Sequence, residues 1–250
     1  MNSVFVPTVF SATSLQMTPE NFAQAAKKVL GEKLVSSILY GSAAAGDRLK
    51  KGSDFNILLV IEPLGQAEMT ALAPIVKRWM TARNPAPLLF TSLEVTKSCD
   101  VFPIEMLDMK QSHHVLTGKD VVKDLEVSLT NLRHQVEFEL RSKILRLRDS
   151  CVKAGNSKSA LIKIMVSSFS SVMSVLRAAL RLYQSEVPPE KMPALAALEK
   201  YVRFDKTPFE AIHSAKGFWS KIKRSNARDV FANYLKQLET ITDAVDALVR

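Results

Sequence analysis

Beyond Leu125 the chain offers only one kind of periodicity. Apolar residues fall at Leu125, Leu129, Leu132, Val136, Leu140, Ile144 and Leu147, at spacings of three and four. Those spacings line one face of a long helix. Gly155-Asn156-Ser157 reads as a turn, and a second long helix is expected over Lys158–Gln184. Val187-Pro188-Pro189 closes that stretch, and shorter helices are expected over Pro193–Tyr201, Pro208–Ala215 and Asp229–Val249. Several antiparallel helices with short connections make a bundle. No strand pattern competes with this reading anywhere in 125–250, so the second half is expected to be all-helical.

The first half has a different texture. Thr18-Pro19-Glu20 is a helix start, because Thr can cap and Pro suits the first helical position. The helix runs to about Leu30, where Gly31 ends it. Leu34–Tyr40 reads as a strand, and Asp54–Val60 as a buried second strand closed by Pro63 and Gly65. A helix over 66–82, a third strand over Pro87–Thr91 and a fourth over Val101–Met109 complete the pattern. The expected fold is therefore α+β: a mixed sheet flanked by helices in a domain over 1–124, then a helical bundle domain over 125–250.

Composition narrows the class. Apolar residues make up 47% of the 250 and charged residues 24%, which describes a packed globular chain rather than a disordered one. Cys99 and Cys151 have no metal-ligand spacing, and two cysteines do not make a disulfide framework, so a cytoplasmic setting is expected. The segment MNSVFVPTVF lacks the charged start of a signal peptide. The apolar stretch over Ser159–Tyr183 is interrupted by Lys163, Arg177 and Arg181, which argues for a core helix and against a membrane span.

The net charge of +9 is unevenly placed. Residues 1–124 hold 13 Lys+Arg and 12 Asp+Glu, while 125–250 hold 21 and 13. A basic second half can be a solvated helix surface or a face for polyanions. Nucleic acid is not the favoured partner, since aromatics are only 7% and none interleave with cations as in a single-strand platform.

The most informative stretch is Tyr40-Gly41-Ser42-Ala43-Ala44-Ala45-Gly46-Asp47-Arg48-Leu49-Lys50-Lys51-Gly52-Ser53-Asp54-Phe55-Asn56. Gly41 lets backbone amides approach a ligand oxygen, Ser42 adds a hydroxyl, and a helical turn after them would aim its N-terminus at an anion. On the following strand Asp54 and Asn56 share one face, with Phe55, Ile57 and Leu59 on the other. A carboxylate beside bound phosphates suggests Mg²⁺ between them.

These residues resemble the nucleotidyltransferase superfamily, the fold shared by DNA polymerase beta and antibiotic nucleotidyltransferases. The pattern is a hydrophobic residue, Gly-Ser, a spacer, then Asp, a hydrophobic residue and a second acid. The resemblance implies a nucleoside triphosphate as ligand and an acceptor whose identity the sequence does not give. It implies Mg²⁺ held by Asp54, by the residue at position 56 and by a third carboxylate on a late strand. Glu105 and Asp108 are the candidates for that third group, with Glu105 preferred as mid-strand. Gly41 and Ser42 would hold phosphates, helped by Arg48 and Lys51. The helical half resembles the bundle that often follows this domain.

The chain departs from the pattern at Asn56, which stands where catalytic members have an acid, and at Ala43 and Ala45, where many have cations. An amide oxygen can ligate a cation but brings no charge. Weak or lost nucleotidyl transfer is therefore expected. The alternatives are an active transferase acting on a small molecule or protein, and a non-catalytic interaction protein working through its helices. The Arg-x4–6-His spacing of HEPN-type nucleases is missing, since Arg203 and His213 are too far apart and Arg133-His134 too close. Oligomeric state is not legible.

Overall fold

A computed structural model of the chain describes residues 17–41, 43–44, 55–215 and 222–248. These divide into two compact units. The first runs to Leu93 and includes Ser112–Val121; the second comprises Glu94–Gln111 and the residues from Val122 onward.

In the first unit, α1 spans Pro19–Leu30, and Thr18 caps it by accepting from the Asn21 amide at 3.2 Å. Glu20 lies in its first turn and Lys27 and Lys28 in its last, matching the helix dipole. Strand β1 (Leu34–Tyr40) follows a single 3-10 turn, then come β2 (Asn56–Ile61), α2 (Gln66–Thr81), β3 (Leu88–Phe90) and, later in the chain, β4 (His113–Gly118). The strand order is β3-β2-β1-β4, with β1 antiparallel to both neighbours and β2 parallel to β3. The sheet is mixed, as expected.

The core of this unit lies between one sheet face and the two helices. Phe22, Ala26 and Leu30 of α1 and Leu72 and Trp79 of α2 pack with Leu39, Ile57, Leu59 and Ile61. Phe55 joins that face, its ring 6.2 Å from Trp79. The expected alternation along β2 is thus realised, and Asn56 belongs to the opposite face. Glu68 anchors the start of α2 by accepting from the Gly65 amide at 3.1 Å and from Lys33 at 2.6 Å.

The expected strand over Val101–Met109 does not form. The segment is two helices, α3 (Ser92–Val101) and α4 (Pro103–Gln111). A short apolar run carries no periodicity that separates strand from helix. Here Pro103 sits at a helix start, and Pro103, Met106 and Met109 face inward three residues apart, with Ile104 beside them. The fourth strand is instead His113–Gly118.

The second unit contains α5 (Leu129–Ala154), α6 (Lys158–Leu180), α7 (Lys191–Leu198), α8 (Thr207–Ala215) and α9 (Ala227–Asp246). Every expected helix is present to within a few residues at its ends. Of the α5 face set out by the sequence, Leu132, Val136, Leu140, Ile144 and Leu147 are buried, whereas Leu129, at the first position of the helix, is exposed and Leu125 is buried ahead of it. Among the described residues α6 alone is long and apolar enough to cross a membrane. It packs against α5, α7, α8 and α9, and its apolar residues form the centre of the bundle core.

Candidate functional site

The end of β1 is shaped by Gly41. Its φ is +81°, a left-handed conformation that suits glycine. Its amide donates to the Ser112 carbonyl at 3.0 Å, and its carbonyl accepts from the Ala44 amide at 3.0 Å, so the chain turns back directly after the strand. A Cβ at position 41 would sit 3.3 Å from Asn56 Nδ2. Gly41 and Asn56 are therefore in contact range, as the strand–turn–strand reading requires. Ser42, Arg48, Lys51 and Asp54, with Ala45, lie outside the described residues.

The entry to β2 is held from the α2 side. Asn84 accepts from the Phe55 amide at 3.3 Å and donates to the Trp79 carbonyl at 3.4 Å. The Trp79 indole donates to the Pro85 carbonyl at 2.9 Å. This small network fixes the backbone one residue before Asn56 and one after Asp54.

Strand register brings two further polar groups into line. Tyr40 is opposite Asn56 on one side and opposite His113 on the other. Directly opposed residues share a sheet face, so Asn56, Tyr40 and His113 form one polar rung across three strands. All three are half-buried, while Ile38 and Leu58 in the next rung are fully buried. His113 Nε2 lies 3.2 Å from both carboxylate oxygens of Asp120. The sequence hides this rung, because His113 joins it only once β4 is placed correctly.

Neither candidate for the third carboxylate lies on a strand. Glu105 is in the first turn of α4 and accepts from Gln135 Nε2 at 2.9 Å, while Gln135 also accepts from the Ile104 amide. Asp108 Oδ1 takes Arg177 at 2.9 Å and Arg181 at 2.7 Å. Arg181 is buried, and that burial pulls its guanidinium below its ordinary value while Asp108 opposes the shift. Both acids thus help fasten α4 within the helical unit.

The described strands read LVSSILY, NILLVI, LLF and HHVLTG, with no Asp or Glu in any of them. No group of three His, Cys, Asp or Glu side chains suited to a metal occurs among the described residues. Magnesium is a hard cation that takes carboxylate oxygens; among the described strands Asn56 offers a neutral amide, and Asp54 lies outside the described residues.

The basic character of the helices also looks different in three dimensions. Arg133 and Arg141 bind Glu137, Arg141 also binds Asp246, Lys143 binds Glu139, Arg148 binds Glu239 and Lys153 binds Asp149. Glu137 is held below the usual carboxylate range, first by its hydrogen bond from Arg141. Most of these pairs lie within α5, while Arg141 and Arg148 also reach α9.

No family model matches the sequence, and no curated protein sequence matches it. In three dimensions the chain is similar to the spectinomycin adenyltransferase AAD(9) from Enterococcus faecialis, solved with ATP and spectinomycin. The identity is 13% and the TM-score 0.51, and the match covers 87% of this chain and 98% of that one. At that identity the likeness establishes the fold, and the chain has the nucleotidyltransferase fold with its helical region.

Proposed function

We propose that this protein binds a nucleoside triphosphate at the Gly41 turn and has weak or no nucleotidyl transfer. The observation that carries the reading is the neutral Asn56 at the start of β2 beside Gly41, where catalytic members have an acid. The turn supports phosphate binding, because Gly41 gives a close backbone approach and Ser42 a hydroxyl. Arg48 and Lys51 are its cationic helpers. Asp54 would be the lone acid of the strand face, too little charge to hold two metals. Two free thiols suit a reducing cytoplasm.

A second reading is supported by the structural neighbour, which was solved with ATP and a small-molecule acceptor. On that reading the chain is an active transferase for a small molecule, with Asp54 as the acid of the strand face.

Titration calorimetry with ATP, with and without Mg²⁺, together with an assay for pyrophosphate release, separates the two. ATP binding that changes little on adding EDTA, without product, is the expected result. Tight binding only with Mg²⁺ and steady pyrophosphate release would replace it with the active reading. Asn56→Asp is expected to make ATP binding more Mg²⁺-dependent, because it restores the charge that a bridging metal requires.

A further inference from the structure

Between α5 and α6 lies a groove of about 180 Å³, lined by Lys143, Arg146, Leu147 and Ser150 from α5 and by Ile164, Ser167, Ser168 and Ser171 from α6. It belongs wholly to the helical unit. Its two walls differ chemically. The α5 wall carries cations: Lys143, paired with Glu139 at 3.2 Å, and Arg146, which makes no ion pair among the described residues. No acidic residue lines the groove, and α6 has none along its length.

The α6 wall carries hydroxyls whose hydrogens are already directed. Ser167 donates to the Ile164 carbonyl at 3.1 Å, Ser168 to Met165 at 3.1 Å and Ser171 to Ser168 at 3.0 Å. Their oxygen lone pairs remain as acceptors. One wall therefore attracts an anion, and the other accepts from hydroxyl groups. Tyr234 of α9 is buried, and its hydroxyl lies beside Ser168, whose oxygen is free to accept from it.

We propose that this groove binds a phosphorylated sugar, with the phosphate on Lys143 and Arg146 and the sugar hydroxyls on Ser167, Ser168 and Ser171. The groove is smaller than the roughly 300 Å³ at which drug-sized pockets begin, which suits one sugar ring with one phosphate rather than a whole nucleotide. The site is separate from the Gly41 turn and does not depend on the nucleotide reading.

The test is a titration of the full chain with ribose 5-phosphate, ribose and inorganic phosphate, followed by backbone amide NMR shifts. Ribose 5-phosphate is expected to shift amides of α5 and α6 around the groove and to bind about tenfold tighter than either fragment, since each fragment engages one wall. Lys143→Gln with Arg146→Gln is expected to abolish binding of both phosphate-bearing probes. Ser168→Ala with Ser171→Ala is expected to weaken ribose 5-phosphate and leave inorganic phosphate unchanged; alanine favours the helix, so folding is kept. Three results would overturn the proposal: shifts confined to the neighbourhood of Gly41, serine variants that bind ribose 5-phosphate as the parent does, or inorganic phosphate binding as tightly as the sugar phosphate.

Discussion

The sheet and the bundle position their parts by opposite means. The described strands carry no Asp, Glu, Lys or Arg, and their geometry rests on backbone register and on glycines where the chain must bend or approach closely. In the bundle, helix after helix is joined by charged side chains: α4 to α6 through Asp108, and α5 to α9 through Arg141 and Arg148. The difference bears directly on chemistry. A nucleotidyltransferase fold needs carboxylates at its sheet, and in this chain both candidates for the third one, Glu105 and Asp108, are helix fasteners.

Substitutions that act on one mode and spare the other probe the contrast. The largest effect is expected at Gly118, where φ is +86° and a Cβ would lie 2.1 Å from the Val35 carbonyl oxygen. Gly118→Ala cannot be relieved by a side-chain rotation, because the obstacle is backbone. A loss of about 4 kcal/mol or more is expected, read by urea unfolding. Soluble, fully stable protein would show that β4 pairs more loosely than its register implies.

Next comes Asp108→Ala, which leaves the buried Arg181 and half-buried Arg177 without their shared carboxylate. Removing one partner of a buried ion pair costs about 3 kcal/mol. A loss under about 1 kcal/mol, the range of an exposed pair, would mean that charge is not what fastens α4.

Gly41→Ala is expected to cost about 1–2 kcal/mol from the left-handed backbone. It should also weaken ATP binding, since the new methyl would press on Asn56. Intact ATP affinity in this variant would move the phosphate site away from the turn.

The smallest effect belongs to the sheet unit's ion pair, where the two modes meet. Lys33 holds Glu68 below the ordinary carboxylate value of 4.5, chiefly through its hydrogen bond. A depressed acid stabilises the fold at pH above its unfolded value and loses that contribution as pH falls through the folded one. The thermal midpoints of the parent and Glu68→Gln should therefore differ at neutral pH and converge below 4.5. A gap that persists in acid would assign the effect to the Gly65 cap instead.

Much of this was legible in the sequence, for particular reasons. The α5 face follows from spacing alone, because a long helix repeats its signal over many turns. The Gly41 turn and the buried strand after it follow from residue types whose backbone needs are narrow. The α3–α4 pair was missed because nine residues hold too few turns to show a period. That error moved Glu105 and Asp108 onto a sheet that they never join. It also hid His113, whose place beside Tyr40 depends on long-range register that no local pattern encodes.

Gly118 and the rest of β4 reach β1 only after the chain has made α3 and α4. The sheet is thus finished by residues that emerge from the ribosome well after its first three strands. A fragment ending at Leu93 would leave the β1 edge bare over the length of Ser36–Tyr40, a template for association with other chains. The sheet unit is expected to be soluble only when the chain extends at least through Val121.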